Sequence, residues 1–221
     1  MFLIHPEVKI LHVTLSALDL IEYAGRTCYQ SRGKIKDGKQ MNFIRNLIVR
    51  GHESPLEHAS MTVNVLCNRI TQQQWTRHRI AAYSIESRRY NVYCNGVTYI
   101  IPYWCKHIEP GEYKQLNNGV LWPTNYSIEA ENNLFHALHK NESDYLNLLD
   151  DGKTGEEASE ILSICLKSEM VVTHNFREWR HIFKERTRKC CSPAMYTMMR
   201  KLLLTVKERI PVVFDDIEWE N

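Results

Sequence analysis

Residues 76–90 read TRHRIAAYSIESRRY. Arg77, Arg79, Arg88 and Arg89, with His78 and the hydroxyls of Ser84 and Ser87, crowd anion-binding groups among small and apolar neighbours. So dense a set predicts a bound polyanion rather than an ordinary solvated helix face. Upstream, residues 69–79 are good or fair helix formers without Gly or Pro, which predicts a helix. On it Gln74, Arg77 and His78 stand at i, i+3 and i+4 and share one face. Beyond Arg79 the run turns irregular, suiting a loop whose Ser84 and Ser87 hydroxyls and backbone N–H groups close on phosphate. A basic helix end followed by a Ser/Arg loop suits two phosphorylated ligands side by side. From spacing alone, a basic surface patch is the alternative.

The flanking chain reads as mixed strands and helices. Alternating, β-branched residues predict strands over 8–15, 61–66 and 97–102, and the apolar run 170–173 predicts a buried one. Ser16 offers an N-cap to a helix reaching about residue 29, with Leu18, Ile21, Ala24 and Cys28 as its apolar stripe. A helix over 40–50 turns Phe43, Leu47 and Ile48 inward and stops at Gly51. Residues 52–58, HESPLEH, form a proline-fixed turn whose polar groups either cap backbone ends or reach a ligand. Residues 102–123 are an irregular connection, and a helix over 127–149 carries Leu134, Leu138 and Tyr145 inward. Asp151-Gly152 breaks that helix, and Thr154-Gly-Glu-Glu resembles a capping box for the next. Asn175 caps a helix with Trp179, Ile182 and Phe183 on its stripe. Arg186 stands four and three positions beyond Ile182 and Phe183, so its guanidinium is expected on the buried face. A charge there needs a ligand anion, a core carboxylate or several acceptors. Arg177 and His181 share another face at i, i+4. Without a βαβ repeat this pattern predicts an α+β fold, a mixed or antiparallel sheet flanked by helices, in one domain over 1–221.

At 221 residues, 43% hydrophobic and 24% charged, the composition is that of an ordinary soluble globular protein. A net charge of +2 supplies no global field toward nucleic acid or an anionic membrane. No apolar stretch approaches the roughly 20 residues that span a bilayer, and the N-terminus lacks a signal-peptide core, so the expected location is cytoplasmic. The seven cysteines form no CxxC pair, which suits thiols in a reducing compartment. His136 and His139 stand at i, i+3 without a carboxylate pattern, so no metal site is expected.

Arg77-His78-Arg79, then seven residues, then Ser87 with Arg89 and Tyr90, resembles the signature of the flavin-dependent thymidylate synthases. GHESPLEHAS (residues 51–60), LKSEMVVTHNFREWRHIFKER (166–186) and RIPVVFDDI (209–217) agree in the same order. The resemblance implies methylation of dUMP at carbon 5 to give dTMP, with methylenetetrahydrofolate as carbon donor and NADPH-reduced FAD as hydride donor. It implies FAD contacts at Ser54, Glu57, Arg77, His78, Arg79, Ile80, Asn175, Arg177 and His181. Gln74, Glu86, Ser87, Arg88 and Arg89 are implied to meet the nucleotide. Arg186 is implied to sit against the uracil edge as both binding and catalytic residue. It further implies a homotetramer with active sites where subunits meet.

The chain departs from the family pattern in four places. Ser84-Ile85 stands for a polar pair, Ala82 for a serine and Ser159 for a phosphate-binding arginine, and a histidine expected near Ser192 is missing. Arg88 is expected to restore the charge lost at Ser159. A protein cysteine nucleophile is not expected, because Cys190-Cys191-Ser192-Pro193 lacks the Pro-Cys context of the thiol-based route. The departures leave open a methylase or hydroxymethylase acting on dCMP or UMP, and a flavin binder without synthesis. A nucleic-acid-binding module using the basic segment is the rival from another class.

Overall fold

In the computed structural model, residues 1–36, 38–105, 107–115, 121–122 and 129–220 are described. The strands are β1 (Phe2–Ile4), β2 (Glu7–Val13), β3 (Ser60–Asn68), β4 (Ala82–Ile85), β5 (Thr98–Ile100), β6 (Gly111–Glu112), β7 (Lys114–Gln115), β8 (Leu121–Trp122) and β9 (Lys167–Asn175). The helices are α1 (Ala17–Thr27), α2 (Gln40–Val49), α3 (Arg69–Trp75), α4 (Glu129–Asp150), α5 (Gly155–Ala158), α6 (Phe176–Arg186) and α7 (Pro193–Arg209), with 3-10 turns at Arg32–Lys34, Ser54–His58 and Ser159–Ile161. One sheet has the order β2-β3-β9-β4, a second β5-β1-β6, and β7 pairs with β8. The second is mixed: β1 runs parallel to β5, with Leu3 opposite Tyr99, and antiparallel to β6. The α+β class, sheets flanked by helices, is therefore as expected.

The chain divides into two compact units. One comprises Met1–Glu7, Leu66–Gln73 and Ile85–Met170. Its core gathers Leu3, Val97, Tyr99, Phe135, Leu138 and Tyr145 around the small mixed sheet. Phe135, Leu138 and Tyr145 recur at helical spacing along α4, which is why that helix has a buried face. Gly152, at φ 83, ends the segment after α4, and the Thr154/Glu157 capping box then starts α5. Residues 127 and 128, the expected start of α4, lie outside the described residues, as does part of the 102–123 connection.

The other unit comprises Val8–Val65, Gln74–Ser84 and Val171–Asn221. Along β3 the pattern alternates strictly, with Met61, Val63 and Val65 buried and Ser60, Thr62 and Asn64 half-buried. The same period buries Val172 and His174 in β9. At the end of β9, Asn175 Oδ1 accepts from Glu178 N at 2.8 Å and turns strand into helix, the cap expected from sequence. α1 buries Ala17, Ile21 and Gly25, a face rotated from the expected stripe, since Cys28 is exposed. The cause is the close crossing of α2. A Cβ on Gly25 would lie 2.9 Å from Phe43 Cε1, so the helices meet where one side chain is missing. Ser16 precedes α1 at φ 47 and makes no side-chain cap, contrary to expectation. The sequence reading assigns no element to 193–209. The structure has a 17-residue helix there, entered through Pro193, with Met195, Met198, Met199, Leu202, Leu203 and Val206 buried.

The arginine expected to be buried was Arg186, yet Arg186 is half-buried and Arg180 is the one taken inside. Arg180 follows Trp179 and lies four beyond Phe176 and three before Phe183, on the helix's apolar face. Its Nη1 and Nη2 donate to the two Asp216 carboxylate oxygens at 2.6 and 2.8 Å. Nη2 and Nε also meet Glu53 Oε1 at 3.1 and 3.2 Å, and Nη1 donates to Val213 O. Burial opposes these charges, but pairing outweighs it, holding Arg180 above and Asp216 below their ordinary values. The network joins the segment before the 54–58 turn, α6 and the segment after α7. Replacing Arg180 by Met is expected to cost about 3 kcal/mol, the low end for breaking a buried pair, because Glu53 and Asp216 keep access to water. Urea unfolding with an unchanged m-value is the measurement.

Candidate active site

α3 stops at Trp75, so Gln74, Arg77 and His78 do not share a helix face, contrary to the sequence expectation. The stop has a cause in hydrogen bonding. The Tyr83 hydroxyl lies 2.9 Å from Trp75 O and 2.7 Å from His78 O, and His78 N donates to Trp75 O at 3.0 Å, closing a turn around Arg77. Further on, His174 Nδ1 sits 3.0 Å from Ile80 O. A carbonyl only accepts, so that nitrogen carries the ring proton, and Nε2 is left to accept from Trp75 Nε1 at 3.4 Å. Burial pushes the His174 imidazole down to about 4, so it is neutral near pH 7. Ser84 lies in β4 rather than in the expected phosphate loop.

On this fixed loop Arg77 and Arg79 are exposed, and neither pairs with an acidic side chain among the described residues. Ile80 beside them is 63% exposed. His78 is buried and lies against α6. Arg186 Nε donates to His78 Nε2 at 2.9 Å, and Arg186 Nη2 donates to Gln74 O at 3.2 Å. Burial first, then the charges of Arg186, His174 and His181, push His78 down to about 4. The ring is therefore neutral, with its proton on Nδ1. Glu178 Oε1 lies 3.7 Å from that nitrogen, too far for a hydrogen bond, and burial holds the Glu178 carboxyl above its usual range.

His78, Glu178 and His181 bring three ligand-type atoms within 4.8 Å of one another. A metal on His78 Nδ1 would move the ring proton to Nε2, where it would face the Arg186 N–H. Two donors would then oppose each other, so the trio as arranged does not suit a metal. The ring of exposed His181 stands edge-on to His78, with centroids 6.0 Å apart. Arg177, one turn earlier on α6, pairs with Glu57 at 2.5 Å; both are exposed. Ser54 and Arg177 line an open cleft of about 300 Å³ together with Tyr29, His52, Glu53 and Pro55. Gln74, His78, His181 and Arg186 thus form one group, while Ser54, Glu57 and Arg177 form another.

Glu86, Ser87, Arg88 and Arg89 belong to the other unit. Glu86 is neutralised by Lys167 at 2.7 Å and also receives the Tyr93 hydroxyl at 3.3 Å. Ser87 Oγ accepts from Arg89 N at 3.3 Å, and its carbonyl accepts twice from Asn91, so the segment is a compact turn. Exposed Arg89 lies 3.4 Å from exposed Glu156, a contact of little energetic weight. Arg88 is half-buried near half-buried Arg69, and burial together with the Arg88 charge lowers Arg69 below its ordinary value. Neither has a carboxylate partner among the described residues. Ser159 Oγ donates to Glu156 O at 2.8 Å.

Comparison with known families and solved structures gives the family and the fold. The family described as "Thymidylate synthase complementing protein" matches residues 9–212. The chain belongs to this family. A flavin-dependent thymidylate synthase of Corynebacterium diphtheriae is 30% identical over 203 residues, covering 90% of this chain and 78% of that protein. The fold is also that of a UMP/dUMP methylase, PolB, of Streptomyces cacaoi bound with 5-Br dUMP (TM-score 0.77, 22% identity, 97% of this chain and 96% of that one). Thymidylate synthase X of Helicobacter pylori, solved with FAD and dUMP, is alike in fold at TM-score 0.73 and 22% identity, over 96% of this chain and 98% of that one.

The sequence reading missed three residues that shape the candidate site in this chain. Tyr83 was legible only as an aromatic within the motif. His174 had the period-2 signal of an inward strand position. Ser192 was noted only for an absent histidine and as part of the Cys190-Cys191-Ser192-Pro193 stretch, yet its Oγ lies 2.7 Å from Gln74 Oε1.

The folded value of His174, about 4, lies below the ordinary 6.5. On acidification the unfolded chain therefore takes up this proton first, so the associated stability is full above about pH 6.5 and is lost as the pH falls toward 4. A His174→Gln protein lacks that loss. Thermal melts between those limits should show the gap between wild type and variant narrowing as the pH drops.

Proposed function

We propose that the chain is a flavin-dependent thymidylate synthase that methylates carbon 5 of dUMP with a one-carbon unit from methylenetetrahydrofolate. When bound, FAD reduced by NADPH supplies the hydride that completes the methyl group. The observation that carries the reading is the way Arg186 is held. Its partners are a neutral imidazole and a peptide carbonyl, and no carboxylate pairs with it among the described residues. The guanidinium is oriented without being neutralised. In a half-buried place, that leaves a full positive charge to favour the partly ionised pyrimidine that attacks the one-carbon unit.

FAD fits the groups present. Exposed Arg77 and Arg79, without an acidic partner among the described residues, suit its phosphates, and exposed Ile80 suits a flat ring. Ser54, Glu57, His78, Asn175, Arg177 and His181 complete the set assigned to it. Asn175 already caps α6, and Arg177 already pairs with Glu57, so both orient neighbouring groups before any ligand arrives. Gln74, Ser87, Arg88 and Arg89 are assigned to the nucleotide. Glu86 joins them without adding net charge, because Lys167 neutralises it. Among the described residues, no helix is long and apolar enough to cross a membrane. We further assign one functional domain over 1–221, a homotetramer with sites where subunits meet, and a cytoplasmic location.

Purified protein should be yellow. Incubated with FAD, NADPH, methylenetetrahydrofolate and one of dUMP, UMP or dCMP, it should add a methyl group to dUMP, read from the mass of the nucleotide. A hydroxymethyl product, or turnover of another pyrimidine instead, would replace the reading. Arg186→Ala should keep the flavin and lose about 10²–10³-fold in kcat, the effect of removing one preorganised charge-stabilising donor. Arg88→Ala should weaken dUMP binding by about 1.5–3 kcal/mol, the worth of a charged hydrogen bond. Titration calorimetry gives that number, and unchanged affinity would remove Arg88 from the phosphate.

A further inference from the structure

Ser192 directly precedes Pro193, the first residue of α7. Serine followed by proline at the first helical position is the usual arrangement for a side-chain N-cap. Here the cap is not made. The Ser192 hydroxyl instead lies 2.7 Å from Gln74 Oε1. The main-chain part of the helix start is intact, since Tyr196 N donates to Ser192 O at 2.9 Å. A serine in position to cap a long helix has its hydroxyl turned onto a side chain of the candidate active site.

The consequence falls on Gln74. Its main-chain carbonyl is held by Arg186 Nη2 at 3.2 Å and its side-chain oxygen by Ser192, so both ends of the residue are fixed. The Ser192 proton has no other acceptor among the described residues. With the carboxamide in this sense the hydroxyl donates to Oε1; with the amide reversed, Nε2 would donate to Oγ instead and the half-buried hydroxyl would turn its proton to solvent. Gln74 Nε2 and its two N–H donors are left unbonded among the described residues. Gln74 therefore meets a ligand as a donor rather than as an acceptor.

We propose that Ser192 is a positioning residue that holds the Gln74 carboxamide by its oxygen, so that the free NH2 donates to an acceptor oxygen of the nucleotide. This rests on reading the group around Arg186 as the nucleotide site. The acceptor is either a pyrimidine carbonyl or a phosphate oxygen, which share the chemistry the NH2 recognises. Without the hydroxyl the amide is free to turn, and half of its orientations present oxygen to oxygen.

The test compares wild type with Ser192→Ala and Ser192→Thr as FAD-loaded full-length enzymes. Because the hydroxyl does not cap α7, Ser192→Ala should melt at the wild-type temperature and retain flavin. Its KM and Kd for dUMP should rise about three- to tenfold, the worth of one hydrogen bond, with kcat nearly unchanged. Ser192→Thr keeps the donor and should restore both constants. Binding of deoxyuridine then separates the two acceptors: a persisting penalty assigns the carbonyl, and a vanished penalty assigns the phosphate. If the wild type binds dUMP and Ser192→Ala binds it equally well, the positioning role is overturned while the function stands. A lowered melting temperature without a change in KM would make Ser192 structural and overturn it too. Failure of the wild type to bind dUMP would overturn the reading of the site and this inference with it.

Discussion

One neutral imidazole holds the loop that follows α3 to the scaffold. His174 donates from Nδ1 to Ile80 O and accepts at Nε2 from Trp75, so it bonds to the chain at the end of α3 and again five residues later. Its ring also packs edge-on against Trp179, with centroids 4.8 Å apart, and against Tyr83 at 5.8 Å. The Trp75 bond demands the neutral ring, since a protonated His174 would set a second donor against the Trp75 N–H; the Ile80 carbonyl favours the proton, and burial outweighs it. Leaving one nitrogen of a buried imidazole unsatisfied would cost about 1–3 kcal/mol, so loop position and protonation state are chosen together. Because His174 is on β9 and Trp179 on α6, the strand-to-helix corner at Asn175 also fixes where Arg77, His78 and Arg79 stand.

The same logic repeats one step outward. His78 is buried in the loop that His174 anchors, and its neutrality is what allows Arg186 to bond to it. A charged His78 would repel the guanidinium and offer it no lone pair. The Arg186 charge in turn helps to depress the His78 value, after burial itself. Each group keeps the other in its working state. Contrast Arg180, only six residues earlier on α6, where two carboxylates surround the guanidinium and absorb its field. One helix thus carries two arginines with opposite electrostatic fates, one serving cohesion and the other kept available.

Much of this was legible in the sequence. The alternation at 60–68, the Asn175 cap and the Thr154/Glu157 box are local patterns with local causes, and they appear where the pattern puts them. The separated motifs also carried the family. What was not legible depends on partners distant in the chain. The end of α3 at Trp75 is set by the Tyr83 hydroxyl and by His174, neither of which propensity along 69–79 can register. The rotation of α1 follows from the fit of Phe43 over Gly25, a crossing decided by packing. The exchange of Arg186 for Arg180 as the buried arginine could have been found. Position 180 falls on the stripe of Phe176 and Phe183, and Asp216 and Glu53 were available as counter-charges, but a charged residue on an apolar face is easily counted as solvated. The helix at 193–209 had a clear Met/Leu stripe at helical spacing and was simply not read.

The segment 86–89 shows how the departures from the family pattern fit together. The serine at 159 cannot replace an arginine, and its hydroxyl is directed onto Glu156 O. Two of the charges nearby are already answered, Glu86 by Lys167 and, loosely in solvent, Arg89 by Glu156. Arg69 and Arg88 are not. Two half-buried guanidiniums close enough for one to lower the other's proton affinity are a standing repulsion; no carboxylate lies between them among the described residues, and Tyr93 and Cys67 offset it only in part. An anion is the species that would relieve it, and a doubly charged phosphate would relieve both arginines at once. The sequence therefore lacks a cation at one position and carries an excess at two others within the same unit. Coulombic attraction depends on distance and dielectric rather than on which residue supplies the charge, so the positive field of Arg69 and Arg88 needs no arginine at 159.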